Sequence, residues 1–270
     1  MKLRSGELWA LSFTLVAIVA IYQTVTGPTY PVRGKIKIGD NEIRFSLPRS
    51  HSSAEDAEVR LRAPDARISG IIETRRFPTN DPWERHDLER QGEDLVGHIP
   101  HQPPAGKVMY RIYLYGGRGP NWLTPEPVTL RFKGDIPAPI IVPHVVLMFL
   151  AMLFSTRAGL EALLKRPHVL RLSRWTVISL AIGGLVLGPV VQKLAFGAYW
   201  TGWPLGRDVT DSKTIVALIF WALALWRLRK QRNANGWAVA ASVVLLLVYM
   251  IPHSLLGSEL DYTRMPPPGM

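Results

Sequence analysis

The chain has 270 residues, no cysteine and a formal net charge of +11. Without cysteine it can hold neither a disulfide framework nor a thiolate metal site, and it has no cysteine nucleophile. A charge of this sign can indicate a nucleic-acid partner, but residues 27–135 are nearly balanced, with 17 basic and 15 acidic side chains. Most of the excess therefore lies outside that segment.

The excess positive charge flanks the apolar parts of the chain. Eleven basic residues lie in three short segments beside apolar runs: Lys2, Arg4, Arg157, Lys165, Arg166, Arg171, Arg174, Arg227, Arg229, Lys230 and Arg232. This is the bias that keeps Lys and Arg on the cytoplasmic side of a membrane. The basic composition therefore indicates membrane topology, and we predict no nucleic-acid partner.

The first apolar run, residues 8–25, predicts a membrane helix near the N-terminus. Its length also overlaps that of a signal-peptide core. The bulky residues from Tyr22 to Val25 form no clean small-x-small cleavage site. We therefore favour an uncleaved N-terminal anchor over residues 1–26, with the signal peptide as the alternative.

Residues 27–135 are predicted to form an all-β domain. Alternating runs at 35–38 and 42–45 flank Gly39-Asp40-Asn41, which is a hairpin signal. Further candidate strands lie at 57–61, 67–74, 94–98, 108–115 and 128–133. About seven short strands separated by Pro, Gly, Asn and Asp are typical of a β-sandwich.

Part of this domain resembles a known class of module. The stretch from Trp83 to Ile112, with Gly97-His98-Ile99-Pro100 before the turn Pro103-Pro104 and Tyr110 in the following strand, resembles the late strands of extracytoplasmic immunoglobulin-like or fibronectin type III-like modules. In those modules a strand ends in a proline-rich turn and the next opens with an inward tyrosine. The resemblance implies a non-catalytic β-sandwich that binds protein or glycan.

Residues 136–256 are predicted to form four membrane helices, which makes about five with the anchor. Pro137, Pro139 and Pro143 suit an entry segment, so we expect the second helix to start near Pro143. The other apolar runs lie at 175–191, 214–226 and 237–251. Several runs are too short to cross a bilayer alone, which suggests that these helices pack together or against other membrane-protein subunits.

The segments between these helices define a topology. Residues 155–174 are predicted to form a basic amphipathic loop with a helical middle, which lies on anionic inner-leaflet lipid. Together with residues 227–236 and the N-terminus, this loop is assigned to the cytoplasm. The β domain, residues 192–213 and the tail 257–270 are then extracytoplasmic, and the lipid partner is the bacterial inner membrane.

The outward segments contain the candidate functional residues. Their polar and aromatic members are His144, Trp200, Trp203, Arg207, Asp208, Asp211, Lys213, His253, Glu259 and Asp261. One interpretation is an interfacial aromatic belt in which Asp211 caps the next helix. The other is a re-entrant site, with the charged residues buried among the aromatic ones.

His144 and His253 each follow a proline and are expected at one depth of the membrane. Two such histidines can ligate a b-type haem or a metal ion. Interfacial or capping histidines are the alternative, and no predicted span has an interior histidine. In the β domain, His86, His98 and His101 are predicted to be ordinary loop histidines.

A second resemblance joins the two outward segments. Trp200-Thr201-Gly202-Trp203-Pro204 and Gly257-Ser258-Glu259-Leu260-Asp261-Tyr262 resemble a pairing in uncharacterised bacterial inner-membrane proteins. That resemblance implies no activity, only that the two segments form one unit.

These features support three hypotheses of function. The first is a non-catalytic membrane subunit, without a cofactor, that presents the β-sandwich and assembles with a larger membrane complex, of which a respiratory complex is one candidate. The second is a redox protein that binds haem, metal or quinol at the outer interface. The third, a small transporter, is weakened because no clearly intramembrane charged residue marks a pathway.

Overall fold

The computed structural model describes residues 4–116, 119–206, 209–231, 234–252 and 260–262. These residues form two compact units. The helical unit contains the described residues up to Pro28, Ile136–Leu194 and residues 198–252. The β unit contains Thr29–Asp135, Ala195–Gly197 and residues 260–262. A helical part and a separate β part are therefore present, as the sequence predicts.

The described part of the helical unit has five helices. They are α1 (Ser5–Thr26), α2 (Ala138–Leu163), a continuous helix made of α3 (Val169–Leu180), a π-helical segment (Ala181–Leu187) and α4 (Gly188–Phe196), then α5 (Val209–Lys230) and α6 (Asn235–Met250). Three of these, α1, α2 and Val169–Phe196, are long and apolar enough to cross a bilayer, and α6 is a shorter apolar helix. The chain is thus compatible with a membrane protein.

Both ends of α2 differ from the bounds that the sequence predicts. The helix begins at Ala138, so the expected start near Pro143 is wrong, and Pro143 lies inside it. Pro139 occupies the first turn, where a helix needs no amide hydrogen, and Pro143 removes only one hydrogen bond. At the other end α2 continues to Leu163 and α3 starts at Val169, so the predicted loop over 155–174 is largely helical.

Small side chains let the helices approach closely. The buried small residues are Ala151, Ser155, Ala158, Gly159 and Ala162 of α2, Ala217 and Ala224 of α5, and Ala238, Ala241 and Ser242 of α6. Helices in a bilayer associate through such residues because their backbones can then come within van der Waals contact. At the centre, the indole of the fully buried Trp221 donates to Ser155 Oγ at 3.1 Å.

The described part of the β unit has eleven strands. They are β1 (Val32–Ile38), β2 (Asn41–Leu47), β3 (Ser50–Ser52), β4 (Ala57–Arg62), β5 (Ser69–Arg76), β6 (Glu84–Asp87), β7 (Glu89–Gln91), β8 (Asp94–Ile99), β9 (Lys107–Tyr115), β10 (Pro120–Trp122) and β11 (Val128–Lys133). The predicted strands are all present, and the short strands β3, β6, β7 and β10 were not predicted. The predicted hairpin is β1–β2, with Ile38 opposite Asn41 and Gly39 at φ +58° in the turn.

The strands form three sheets around one core. Their orders are β1-β2, β3-β11-β9-β5-β6 with β10 also paired to β9, and β4-β8-β7. Alternate residues of all three sheets point into the core, as in β4, where Ala57, Val59 and Leu61 are buried. Tyr110 of β9 is also buried, and its hydroxyl donates to the Pro48 carbonyl at 2.8 Å. Burial raises the pKa of this tyrosine.

Candidate functional site

Asp211 organises the loop that follows α4. Its Oδ2 accepts the backbone amides of Thr201 and Gly202 at 2.8 and 3.1 Å, and the Thr201 hydroxyl lies 3.4 Å away. Gln192 of α4 donates to the same hydroxyl at 2.6 Å. Because Asp211 lies in the first turn of α5, its carboxylate ties the loop to α5, and Gln192 ties the same loop to α4.

The tryptophans of this loop have different environments. The Trp200 indole donates to the carbonyls of Gly202 and Trp203, at 3.1 and 3.2 Å, so it closes the loop on itself. The Trp203 amide donates to Ser212 Oγ at 2.9 Å, while its side chain is 64% exposed. The loop is therefore held by its polar atoms and turns apolar groups outward.

Lys213 is buried one turn into α5. Its ammonium group donates to the Ile251 carbonyl at 2.7 Å, at the end of α6 where carbonyls lack partners within the helix. This contact joins α5 to α6. The described contacts of Asp211 and Lys213 therefore hold the loop and the helix ends in place. Both residues belong to the segment for which a re-entrant site is one of the two interpretations.

His144 lies inside a helix, which corrects the expectation that it opens a span and that no span has an interior histidine. It is the seventh residue of α2, counted from Ala138. Its Nδ1 donates to the Gly183 carbonyl of the π-helical segment at 2.9 Å, and that carbonyl also accepts the Gly188 amide. π-Helical segments are often found at functional sites. With a proton on Nδ1, a neutral His144 presents the lone pair of Nε2.

Of the remaining predicted site residues, only Asp261 lies among the described residues. Arg207, Asp208, His253 and Glu259 lie outside the described residues. Asp261 is exposed in the β unit, between two residues that contact its strands. The structure therefore groups Asp211 with Thr201 and Gln192, and groups Asp261 with the β unit.

The residues next to Asp261 bind the β unit through its backbone. The Leu260 amide donates to the Ala105 carbonyl at 3.3 Å. The Tyr262 hydroxyl accepts the Lys107 amide at 2.9 Å and lies 3.0 Å from the Lys107 carbonyl. Burial raises the pKa of Tyr262, whose ring also lies 5.1 Å from the Arg76 guanidinium. This segment is thus an integral part of the β unit.

The histidines of the β unit show no clustering in the part that the structure describes. His86 and His98 are exposed on β6 and β8. His101 contacts Asp56 through both its amide and its ring Nδ1, each at 2.8 Å. These hydrogen bonds lower the pKa of Asp56. Among the described residues, no group of three or more His, Cys, Asp or Glu side chains is arranged to hold a metal ion.

A buried ion pair in α2 was missed by sequence reasoning. Arg157 and Glu161 are one turn apart, with Nη1 and Oε1 separated by 2.6 Å and side chains that are 2% and 1% exposed. The pair lies within α2, where the sequence predicts a loop over 155–174. The four-residue spacing of Arg and Glu was the available signal.

A second feature without a sequence signal is a row of aromatic and arginine side chains on the β unit. The Arg111 guanidinium lies 4.3 Å from the Trp83 ring centroid and 5.0 Å from that of Trp122. The rings of Tyr113 and Trp122 are in contact, with a centroid distance of 3.8 Å and an angle of 43° between their planes. We call Trp83, Arg111, Tyr113 and Trp122 the aromatic–arginine row.

Comparison with protein-family models, with curated proteins and with solved structures finds no match to this chain.

Proposed function

We propose that the chain is a non-catalytic integral membrane subunit of the bacterial inner membrane. Its five helices cross the bilayer and hold an immunoglobulin-like or fibronectin type III-like β-sandwich outside the cytoplasm. Its partners are the lipid bilayer and other membrane-protein subunits. The observation that carries this proposal is which segments of the chain belong to the helical unit and which belong to the β unit.

Segments of the β unit occur at alternate helix ends. The segments that belong to the β unit follow α1, precede α2, follow α4 and follow α6. The connections at the opposite ends, between α2 and α3 and between α5 and α6, contain or adjoin Lys165, Arg166, Arg229 and Lys230. Since Lys and Arg favour the cytoplasmic side, this alternation supports a β unit that faces outward.

The exposed surface of the helices supports their contact with lipid. Phe13, Ile18 and Ile21 of α1 are each more than half exposed, whereas Leu8, Ser12 and Val16 of the same helix are buried in the helical unit. Exposing such an apolar surface to water costs free energy, whereas contact with lipid hydrocarbon does not. The buried stripe also supports α1 as a retained anchor.

The loop held by Asp211 supports contact with a partner subunit. Trp203 and Leu205 are 64% and 80% exposed, although the backbone beside them is fixed by side-chain hydrogen bonds. A fixed loop with large apolar side chains loses little conformational entropy when it binds. We assign this loop to the interface with the partner subunit.

The topology can be tested cleanly because the chain contains no cysteine. We expect Glu55→Cys, in the β unit, to react with a membrane-impermeant maleimide in intact spheroplasts. Arg229→Cys, at the end of α5, should react only after lysis. The opposite pattern would overturn the proposal.

Assembly is tested by purification in mild detergent followed by cross-linking and mass spectrometry. We expect stoichiometric membrane-protein partners with the native chain, and their loss with Trp203→Ala combined with Leu205→Ala. Phe13→Ala, on the lipid-facing side of α1, is the matched control and should keep them. A native chain that purifies alone, as a single copy, would contradict the subunit role.

The orientation of His144 favours a second candidate, a redox protein that binds haem, metal or quinol. Histidine ligands usually donate their other ring nitrogen to a carbonyl or carboxylate, as His144 does to Gly183. No protein group within the described residues is bonded to its Nε2. A Soret band or a stoichiometric metal in the purified protein, lost in His144→Ala, would support this candidate, and a featureless spectrum with no metal or quinone would reject it.

A further inference from the structure

We propose that the aromatic–arginine row is a binding site for an acidic glycan, through a sugar ring that carries a carboxylate. This goes beyond the role of membrane subunit and concerns an activity of the β unit itself. A cavity of about 380 Å³ adjoins the row and is lined by Arg111, Trp122, Thr124, Pro125, Glu126 and Pro127. Its volume is within the range of small-ligand sites.

Arg111 is oriented so that part of its guanidinium remains available. Its Nε donates to Glu73 Oε2 at 2.6 Å, and the Tyr113 hydroxyl donates to the same oxygen at 2.8 Å. The two terminal nitrogens of Arg111 donate no hydrogen bond within the described residues. The side chain is 27% exposed and also lines the cavity. A fixed guanidinium with two free nitrogens matches a carboxylate, which can accept both hydrogen bonds at once.

Trp122 supplies the surface for the sugar ring. It is 45% exposed, and a tilted ring contact with Tyr113 holds it in place. The exposed part of the indole attracts the C–H groups of a pyranose by dispersion and by the removal of apolar surface from water. The combination of a flat apolar face with a guanidinium recognises a ring and an anionic group together.

The cavity wall favours a glycan over an acidic peptide. Extended peptides usually bind to β domains through backbone hydrogen bonds along a strand edge. Pro125 and Pro127 in this wall have no amide hydrogen, and Thr124 Oγ1 is bonded to the Glu126 carbonyl. The wall therefore offers little backbone pairing. Glu126 is the one acidic residue of the lining, and its exposed carboxylate repels an anionic ligand.

The test measures binding by titration calorimetry of the full chain in detergent, a readout that does not depend on the topology in the membrane. The probes are a trimer of galacturonic acid, the neutral galactose trimer and triglutamate. We expect the acidic trimer to bind at least about tenfold more tightly than either of the others. No saturable binding of the acidic trimer, or equal binding of triglutamate, would overturn the proposal.

Variants locate the site. Arg111→Gln and Trp122→Ala should each weaken binding of the acidic trimer about tenfold or more. Arg33→Gln, which removes another arginine–tyrosine contact of the β unit, is the matched control and should bind normally. Glu126→Gln changes only an exposed side chain and should strengthen binding about two- to threefold. Unchanged affinity in Glu126→Gln and Arg111→Gln would reject this site even if Trp122→Ala fails to fold.

Discussion

The guanidinium of Arg157 lies 5.3 Å from the ring centroid of Trp9, which joins the middle of the chain to its first helix. Ser5 Oγ also accepts a hydrogen bond from Arg157 Nη2 at 3.3 Å. Together with the ion pair to Glu161, these contacts surround one buried cation with groups from α1 and α2. Buried charges of this kind are stable only when they are paired, so α1 is needed to complete the environment of Arg157.

Removal of one member of the Arg157–Glu161 pair should destabilise the helical unit strongly. Arg157→Met leaves a buried carboxylate without its partner, and we expect a loss of about 3–5 kcal/mol. The double variant with Glu161→Leu removes both charges and should recover much of this loss. Thermal unfolding in one detergent compares the variants. Glu42→Gln, which breaks the exposed pair with Lys35, is the control and should change the unfolding temperature little, because solvent screens this pair. An equal effect of Arg157→Met and Glu42→Gln would contradict the prediction.

The contact between Gly159 and Ser242 should reject a single added methyl group. A Cβ on Gly159 would lie 2.5 Å from Ser242 Oγ and 2.6 Å from its Cβ. We expect Gly159→Ala to lower stability by about 1–3 kcal/mol because α2 and α6 must move apart. Adding Ser242→Gly should restore part of that loss in the same thermal assay. Gly236→Ala, whose Cβ would have no neighbour within 4 Å, is the control and should not destabilise. The explanation fails if the double variant is less stable than Gly159→Ala alone.

Asp211 should control the order of the loop beside it. Asp211→Ala removes the acceptor of the Thr201 and Gly202 amides, and a lost acceptor for buried donors costs about 1–3 kcal/mol. We expect both amides to exchange hydrogen faster with deuterium, as measured by mass spectrometry of the full chain. Asp211→Asn keeps one carbonyl acceptor and should have the smaller effect. Unchanged exchange in Asp211→Ala would show that other contacts hold the loop.

The stability of the β unit should depend on pH through Asp81. The Arg76 guanidinium, 2.7 Å from this carboxylate, lowers the pKa of Asp81 below its ordinary value of 3.8. Because the folded state has the lower pKa, the stabilisation is complete above 3.8 and is lost as the pH falls through the folded value. Asp81→Asn should therefore be less stable than the native chain at pH 7, by about 1 kcal/mol after solvent screening.

The measurement for Asp81 is hydrogen exchange of β5 and β9 in the full chain, repeated from pH 7 to pH 3 with correction for intrinsic exchange rates. The difference between the native chain and Asp81→Asn should shrink below pH 3.8. A difference that stays constant over this range would show that Asp81 contributes through packing and not through charge.

Local patterns were sufficient for most of the elements. The alternation at 35–38 and 42–45 predicted β1 and β2, because a strand with one buried face must place apolar residues at every second position. The short strands β6 and β10 have no such pattern, since all of β6 is exposed and β10 has only three residues. They pair because neighbouring strands present free backbone groups, which the sequence does not record.

For the candidate sites, the difference between what the sequence predicted and what only the structure showed is larger. The positions of Asp211 and Lys213 near the start of a helix followed from the sequence, but their partners Gly202 and Ile251 did not. Neither the place of His144 inside α2 nor its hydrogen bond to Gly183 followed from it. Those partners are backbone groups that become available only where a loop, a helix end or a π-helical segment meets another element. The sequence also did not show that Arg111 lies close to both Trp83 and Trp122, because the three residues belong to different segments of the chain.

By itself, the sequence determined the apolar helices, the alternating strands and the clusters of Lys and Arg beside the apolar runs, because hydrophobic transfer and side-chain periodicity act over a few neighbouring residues. Only the tertiary structure decided that Arg157 and Glu161 are buried and that Asp211 holds a loop. It also decided that Arg111 lies near two tryptophans. Burial and pairing depend on which surfaces meet, and those surfaces come from segments distant in the chain.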